Sequence, residues 1–289
     1  MRSLWCGDAT NAFYSSEKFD KYRILSTPEF EKSNKAKNSY YAIGVDVGRY
    51  GCTTEAAVFK VTPQLQGQAI KSLVNLFTYD AEHFEDQSIH LKRLYYAFQA
   101  RVIAIDANGL GAGLVDFLTT TQIDPETGDI LPPFGVLGGT SEDIAQQYKK
   151  VRGSNVEENA LYLIKANAAI NTEAYSNAQI QMSSGKVKFL INESQAKTKL
   201  MSTKVGQNMT SEKRNEYLRP FILTSILREQ TLNLIEENEG TNIILKQSSK
   251  SIKKDKFSAF IYGLYYIKQE EERLANRKRK NIKDFLFFT

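Results

Sequence analysis

Three hydrophobic runs, separated by short polar turns, lie at residues 40–48, 53–61 and 69–79. They are rich in Val, Ile, Leu, Phe and Tyr, a composition typical of β-strands. Parallel neighbours need a crossover connection of a dozen or more residues, and these turns are shorter than that. The pattern therefore predicts a three-stranded antiparallel meander.

Helical spacing begins after the meander. Residues 84–99 place apolar side chains about every third or fourth position, which predicts an amphipathic helix. The apolar run at residues 101–106 is typical of a buried parallel strand. A glycine-rich segment at residues 109–113 opens a predicted helix that reaches residue 121, and residues 134–137 predict another strand.

The second half of the chain is predicted to be mainly helical. The expected elements are helices at residues 156–175, 211–237 (interrupted at Pro220) and 254–272, a β-hairpin at residues 179–192 and a short strand at residues 241–246. A meander followed by alternating helices and strands predicts an α/β protein with an RNase H-like mixed sheet. Three antiparallel strands would precede parallel strands, with flanking helices and an added β-hairpin. A doubly wound nucleotide-binding sheet begins instead with a β-α-β unit.

Composition narrows the class of protein. The 289 residues are 42% hydrophobic and 25% charged, which is typical of a globular chain with a sizeable core and excludes disorder. No apolar run approaches the roughly 18 residues of a membrane helix, and no signal-peptide pattern follows Arg2. Cys6, Cys52, His83 and His90 lack metal-type spacing, so oxygen atoms would hold any metal and a reducing cytoplasm is expected.

Positive charge is concentrated in the second half of the chain. The whole sequence has 38 Lys and Arg against 33 Asp and Glu, a net charge of +5. Residues 179–219 contain eight basic and three acidic side chains, and residues 273–283 contain six basic side chains and no acidic one. These stretches indicate either contact with a polyanion such as nucleic acid or an ordinary solvated surface with a frayed basic end.

Two predicted strands end in an aspartate, Asp46 and Asp106. If the strands are neighbours, their carboxylates meet at one edge of the sheet and repel each other. A bound Mg²⁺ or Mn²⁺ would relieve this repulsion, because hard cations prefer oxygen ligands. Asp255, at the start of the last predicted helix between Lys254 and Lys256, is the candidate third acid. Metal ions that bind the reacting phosphate, and lysines that bind the neighbouring phosphates, would suit a site that acts on phosphodiester bonds.

Each of these features also has a simpler explanation. An aspartate after a strand is often a turn former or a helix cap. The segment Gly109-Leu110-Gly111-Ala112-Gly113 lacks the third glycine of a dinucleotide motif, and it allows either tight helix packing or approach of nucleic acid to Asp106. Asp116 is expected on a helix surface, and Glu55 could face the site or solvent. No Walker-type phosphate loop occurs, since Gly185-Lys186 is followed by Val187.

Three segments, in order, resemble the nuclease domain of the large terminase subunit of tailed bacteriophages. They are Ile43-Gly44-Val45-Asp46-Val47-Gly48, Ile105-Asp106-Ala107-Asn108-Gly109-Leu110-Gly111-Ala112-Gly113-Leu114-Val115-Asp116-Phe117-Leu118 and Lys254-Asp255-Lys256-Phe257-Ser258-Ala259. The stretch from Asp106 to Gly111 is the most specific of them. Ser3-Leu4-Trp5-Cys6-Gly7-Asp8 with Asn11-Ala12-Phe13-Tyr14 looks like the segment that leaves the family's ATPase domain, so the resemblance covers nearly the whole chain.

This resemblance implies a metal-dependent endonuclease that cuts concatemeric double-stranded DNA with little sequence specificity. Two Mg²⁺ or Mn²⁺ ions would be held by the positions that match the family's acidic ligands, and no organic cofactor is implied. The predicted hairpin falls where such domains often carry one near the active site. The implied catalytic and metal-binding residues are Asp46, Asp106 and Asp255, and the expected DNA contacts are Lys186, Lys188, Lys254 and Lys256.

The resemblance also implies a domain organisation. Residues 1–39 would be a segment or linker from an ATPase domain absent here, residues 40–272 the nuclease domain and residues 273–289 a basic tail. The chain would be an excised domain or the distal part of a split gene. The implied partners are double-stranded DNA, the ATPase domain, the small terminase subunit and the portal protein, without a membrane, in the cytoplasm of an infected bacterium.

Three other functions fit part of the pattern. An actin-like or sugar-kinase ATPase also opens with a strand, a turn such as Asp46-Val47-Gly48 and a meander, but it usually repeats the sheet, and no second copy is visible. A junction resolvase or transposase would share the fold and prefer branched DNA. A non-catalytic DNA-binding or scaffold protein would bind DNA without cutting it.

Overall fold

The computed structural model describes residues 11–34, 38–48, 52–80, 83–152 and 158–286, with the backbone alone described for residues 149–152, 158 and 278–286. The strands are β1 (Arg23–Leu25), β2 (Tyr40–Asp46), β3 (Thr54–Thr62), β4 (Ile70–Tyr79), β5 (Val102–Asp106), β6 (Gln122–Ile123), β7 (Ile130–Leu131), β8 (Phe134–Gly139), β9 (Glu158–Ile164), β10 (Val187–Leu190), β11 (Leu234–Glu239) and β12 (Asn242–Gln247). The helices are α1 (Ser16–Lys21), α2 (Phe84–Phe98), α3 (Leu110–Leu118), α4 (Glu142–Arg152), α5 (Ala168–Ser183), α6 (Glu193–Met201), α7 (Lys204–Asn208), α8 (Ser211–Leu232) and α9 (Asp255–Leu286).

The main sheet has eight strands in the order β1-β10-β4-β3-β2-β5-β9-β8. Strands β2, β3 and β4 form the predicted antiparallel meander, with Asp46 opposite Glu55 and Glu55 opposite Thr78. Strand β5 lies parallel to β2, and β9 and β8 continue the parallel arrangement. The mixed sheet predicted from the sequence is therefore confirmed.

Alternating side chains of the meander enter two separate hydrophobic layers, as the two-residue period of a strand requires. Phe59 faces a layer that includes Phe260 of α9, with the two ring centroids 5.6 Å apart. Ile43 and Val58 face the opposite layer, which is closed by α2 and α3. Full burial of each such side chain contributes about 1.5–3 kcal/mol to folding, so helices on both faces hold the sheet in place.

Helix α9 lies unusually close to β2 because a glycine occupies the contact on each element. A Cβ atom at Gly44 would lie 2.2 Å from the carbonyl oxygen of Ala259 and 2.4 Å from the nitrogen of Gly263. Both distances are shorter than any real contact between these atoms. This approach brings the first turn of α9 to the carboxyl end of β2.

Two predictions for the second half of the chain are wrong. The helix predicted at residues 156–175 is strand β9 followed by α5, because the apolar run that ends at Ile164 is buried between β5 and β8. The hairpin predicted at residues 179–192 is the last turn of α5, a turn at Gly185 and strand β10, which pairs in parallel with β4. A β-hairpin does occur, but it is formed by β11 and β12.

Other boundaries also differ from expectation. Helix α8 continues through Pro220, and α9 extends to Leu286 instead of fraying near residue 277. Phe13 and Phe19 are buried in the core and β1 joins the main sheet, so residues 11–34 pack as part of the same body. Residues 3–8 lie outside the described part. Among the described residues, no helix combines the length and apolarity needed to span a membrane.

Candidate metal centre

Asp46 and Asp106 are the last residues of neighbouring parallel strands. The residues immediately before them, Val45 and Ile105, are register partners, and adjacent strands lie about 4.8 Å apart. Both aspartates are partly buried. The structure thus brings these two carboxylates together at one edge of the sheet.

Asp255 joins this edge from the first turn of α9. The pKa of Asp46 is raised well above its usual value, chiefly by burial and then by the negative charges of Asp255 and Asp106, with Lys254 opposing the shift. The three acids proposed from the sequence are therefore electrostatic neighbours. We refer to them below as the carboxylate cluster.

Hydrogen bonds hold the Asp106 carboxylate. Its Oδ1 accepts the backbone N–H of Asn108 at 3.0 Å, and its Oδ2 accepts the hydroxyl of Tyr262 at 3.2 Å. Burial raises the pKa of Asp106, and these two hydrogen bonds oppose the shift. The side-chain amide of Asn108 donates to the carbonyl of Ala166 at 2.8 Å, which connects this turn to the segment after β9. Sequence reasoning missed Tyr262, although it lies two helical turns after Asp255, on the same face of α9.

The glycine-rich segment after Asp106 serves mainly for packing. A Cβ at Gly111 would lie 1.7 Å from the carbonyl oxygen of Asp106, and one at Gly113 would lie 2.7 Å from the ring of Phe84. Gly109 has a φ of 50° and no atom within 4 Å of its Cβ position. Of the two interpretations, close helix packing thus applies to Gly111 and Gly113, while Gly109 borders open space.

Beside the cluster, Glu55 and Lys256 form a buried ion pair. Lys256 Nζ lies 2.7 Å from Glu55 Oε1, and the two side chains are 8% and 1% exposed. Glu55 also accepts the hydroxyls of Thr53 and Thr78, each at 2.8 Å. The pair joins the start of α9 to β3, one residue from Asp255 and opposite Asp46. Glu55, which the sequence left open, therefore borders the site, and the ammonium of Lys256 is already engaged.

Four further basic residues lie at the two ends of the sheet. Lys254 is partly buried near Asp46, and the exposed Arg219 approaches the carbonyl of Thr78, with Nη2 3.5 Å from that oxygen. Arg219 was counted in the basic stretch but not singled out. Lys186 and Lys188 lie at the opposite end, because β10 begins beside the first residues of β4. The prediction that places them in a hairpin near the active site is therefore wrong.

The donor set fits a hard divalent cation of the kind that completes its shell with water or phosphate. Among the described side chains, no group of three or more His, Cys, Asp or Glu could by itself hold a metal ion. Mg²⁺ is commonly bound through only one or two carboxylates, with water and substrate phosphate as the other ligands. Adjacent, mutually repelling oxygen donors at Asp46 and Asp106 meet this requirement.

Comparisons with known proteins identify the fold. No protein-family model and no curated protein sequence matches the chain. The large terminase nuclease from thermophilic phage G20c with bound magnesium is 13% identical, with a TM-score of 0.51, covering 89% of this chain and 97% of that one. Its structure with bound cobalt gives 12% identity, a TM-score of 0.50 and the same coverage. The chain therefore has the fold of a large terminase nuclease domain, the RNase H-like fold predicted from the sequence.

Proposed function

We propose that this chain is the metal-dependent endonuclease domain of a phage terminase large subunit, which cuts concatemeric double-stranded DNA. The carboxylate cluster carries the proposal, since two strands and a helix deliver its three acids to one edge of a terminase-nuclease fold. The G20c nuclease, solved with bound magnesium and with bound cobalt, supports a divalent cofactor here.

Asp46, Asp106 and Asp255 would hold the divalent cofactor, two Mg²⁺ or Mn²⁺ ions in this proposal. When bound, such ions would supply activation of a water molecule for in-line attack on phosphorus and charge stabilisation of the leaving oxygen. Tyr262 and Asn108 fix the orientation of the Asp106 carboxylate through its two oxygens. Raised pKa values at Asp46 and Asp106 mean that protons compete with cations for these oxygens.

DNA would be held at this edge by its phosphates. Lys254 lies near Asp46 and Arg219 lies near Thr78, and these two positions support phosphate binding at the carboxylate end of the sheet. We assign both side chains to binding of phosphates beside the cut. Lys256 is not included, because its ammonium group pairs with Glu55. Phosphate contacts carry little sequence information and weaken steeply with salt, so cutting should be nearly sequence-independent and salt-sensitive.

The wider setting follows from the same proposal. As part of a terminase, the domain would work with an ATPase domain, a small terminase subunit and a portal protein in the cytoplasm of an infected bacterium. Translocation of DNA is not assigned to this chain, because its sequence contains no Walker-type phosphate loop.

Plasmid cutting tests the proposal. Supercoiled plasmid is incubated with the wild type in Mg²⁺, Mn²⁺ or EDTA, and nicked and linear products are measured. We expect cutting only with metal and only background cutting by Asp46→Asn, Asp106→Asn and Asp255→Asn. Asp129→Asn, an exposed aspartate in the turn before β7, is the matched control and should cut normally. Cutting in EDTA would refute the metal requirement, and full activity of a cluster variant would remove that residue from the site.

A further inference from the structure

Two lysines contact the ring of one tyrosine, and a third lysine lies near them, at the end of the sheet opposite the carboxylate cluster. Lys188 Nζ lies 4.6 Å from the centroid of the Tyr22 ring, and Lys21 Nζ lies 5.5 Å from the same centroid. Lys186 is near enough for its charge, together with that of Lys21, to lower the pKa of Lys188 after the larger effect of burial. We call Lys21, Lys186, Lys188 and Tyr22 the Tyr22 lysine cluster.

The fold builds this cluster from two distant segments. The N–H of Phe189 donates to the carbonyl of Tyr22 at 2.9 Å, which aligns β1 with β10. Gly185 turns the chain between α5 and β10 with a φ of 67°, and a Cβ there would lie 2.6 Å from the Tyr22 ring. The Tyr22 ring and the turn at Gly185 are therefore tightly packed, and this packing fixes the backbone that carries the lysines.

The positive charge of the cluster is not neutralised within the described part of the chain. No carboxylate there forms a salt bridge with Lys21, Lys186 or Lys188; Asp20, next to Lys21 in sequence, pairs instead with Arg228 at 2.6 Å. Cation–π contacts with Tyr22 orient two of the ammonium groups but leave their net charge in place. An arriving anion would relieve the repulsion among them.

We propose that the Tyr22 lysine cluster binds backbone phosphates of DNA at a second contact remote from the carboxylate cluster. The inference rests on the proposed function for the identity of the anion. Lysine ammonium groups bind phosphate as point charges, and double-stranded DNA would already lie on the molecule. An acidic protein surface is the alternative ligand, and the experiment below distinguishes it from DNA.

The register of the sheet sets the spacing between the two sites. Lys188 pairs with Ser72, and Thr78 of the same strand pairs with Glu55 at the carboxylate end. Six residues of extended strand span about 20 Å. Phosphates follow each other about every 3.4 Å along one strand of DNA, so the second contact lies roughly six or more base pairs from the cut.

DNA binding in EDTA tests the proposal without cutting. Affinity for a labelled 30-base-pair duplex is measured by fluorescence anisotropy at several salt concentrations for the wild type and the Lys21→Gln/Lys186→Gln/Lys188→Gln variant. Losing three phosphate contacts should weaken binding at least tenfold at low salt and flatten the slope of log K against log salt by up to about 2.7.

A matched variant controls for net charge, and thermal melting confirms that both variants fold. Lys197→Gln/Lys199→Gln/Lys204→Gln removes the same charge from exposed positions of α6 and α7 and should bind nearly as wild type. Equal weakening by both triple variants, or unchanged binding by the cluster variant, overturns the proposal and leaves an acidic protein partner as the occupant to examine. Plasmid cutting distinguishes this proposal from the proposed nuclease function. If the wild type does not cut plasmid but the cluster variant still binds DNA more weakly than the wild type, the nuclease function is rejected and the second DNA contact stands.

Discussion

Replacing Lys256 by Met should destabilise the protein far more than loss of an ordinary surface ion pair. The substitution keeps a side chain of similar length but leaves Glu55, 1% exposed, without its counter-charge. The hydroxyls of Thr53 and Thr78 would still donate to the carboxylate. Two neutral hydrogen bonds do not replace a buried cation, so the remaining negative charge is strongly disfavoured.

The magnitude follows from burial and chain length. Breaking a buried ion pair by removing one partner costs about 3–5 kcal/mol. Unfolding entropy of about 2.1 cal/mol/K per residue gives about 0.6 kcal/mol/K for 289 residues. The Lys256→Met variant should therefore melt about 5–8 °C below the wild type.

Calorimetry of the metal-free protein provides the assay. The control is Lys246→Met, which breaks a pair with Glu237 whose side chains are 59% and 48% exposed and should cost less than about 1 kcal/mol. The double variant Glu55→Gln/Lys256→Met removes both buried charges and should recover part of the loss. A melting temperature for Lys256→Met equal to that of Lys246→Met would refute the reasoning, because it would mean that Glu55 does not depend on Lys256.

The double variant also separates folding from positioning. If the pair holds the start of α9 beside β2, Mn²⁺ should stabilise the double variant less than the wild type, even where both are fully folded. The shift in melting temperature with added Mn²⁺ measures this response without requiring DNA cutting. An unchanged Mn²⁺ response would show that Asp255 keeps its place without the pair.

Three further outcomes are expected from the same geometry. Asp46→Asn removes a charge that burial and neighbouring acids disfavour, so the metal-free variant should melt at or above the wild-type temperature near neutral pH. This difference should shrink as the pH falls towards 3.8, the ordinary pKa of the group, because wild-type Asp46 then becomes protonated; a lower melting temperature at neutral pH would contradict the argument. Tyr262→Phe removes a donor to Asp106 and should cost about 1–3 kcal/mol in urea unfolding. Gly44→Ala forces α9 away from β2 and should cost at least about 1–3 kcal/mol, whereas Gly138→Ala, whose Cβ would meet only a ring at 3.9 Å, should cost less in the same thermal melt.

The central part of the fold could be predicted because its signals are local. The meander has hydrophobic runs with short turns, and short turns permit only antiparallel pairing. Once the strands are placed, Asp46 and Asp106 follow as the ends of parallel neighbours. Asp255 was found as an acid at a helix start, and the close approach of α9 to β2 at Gly44 explains why that start reaches the same edge.

Errors arose where one pattern permits two structures. The apolar run in residues 158–164 is buried in the sheet, and periodicity alone does not distinguish a buried strand from a helix segment. The turn signal at Gly185 was real, but it joins a helix to a parallel strand. Only long-range pairing with β4 decides between that arrangement and a hairpin.

The direction of individual side chains also escaped prediction. Lys256 follows Asp255 directly, and the sequence placed both at the same site. Consecutive helical residues point about 100° apart, so Lys256 turns towards β3 and meets Glu55. Neither partner of this pair can be recognised until the register of β3 against β2 is known.

The two ends of the sheet share one electrostatic principle with opposite sign. Negative charges are close together at one end and positive charges at the other. Repulsion within each cluster raises the free energy of the protein that has no ligand bound. Divalent cations would relieve the first cluster and DNA phosphates the second. A phosphate can approach the carboxylates only after cations have neutralised them, and DNA would in turn complete the cation shell. Linkage then requires that DNA raise the metal affinity by the same factor as metal raises the affinity for DNA, so binding of the cofactor and of the substrate should be mutually dependent.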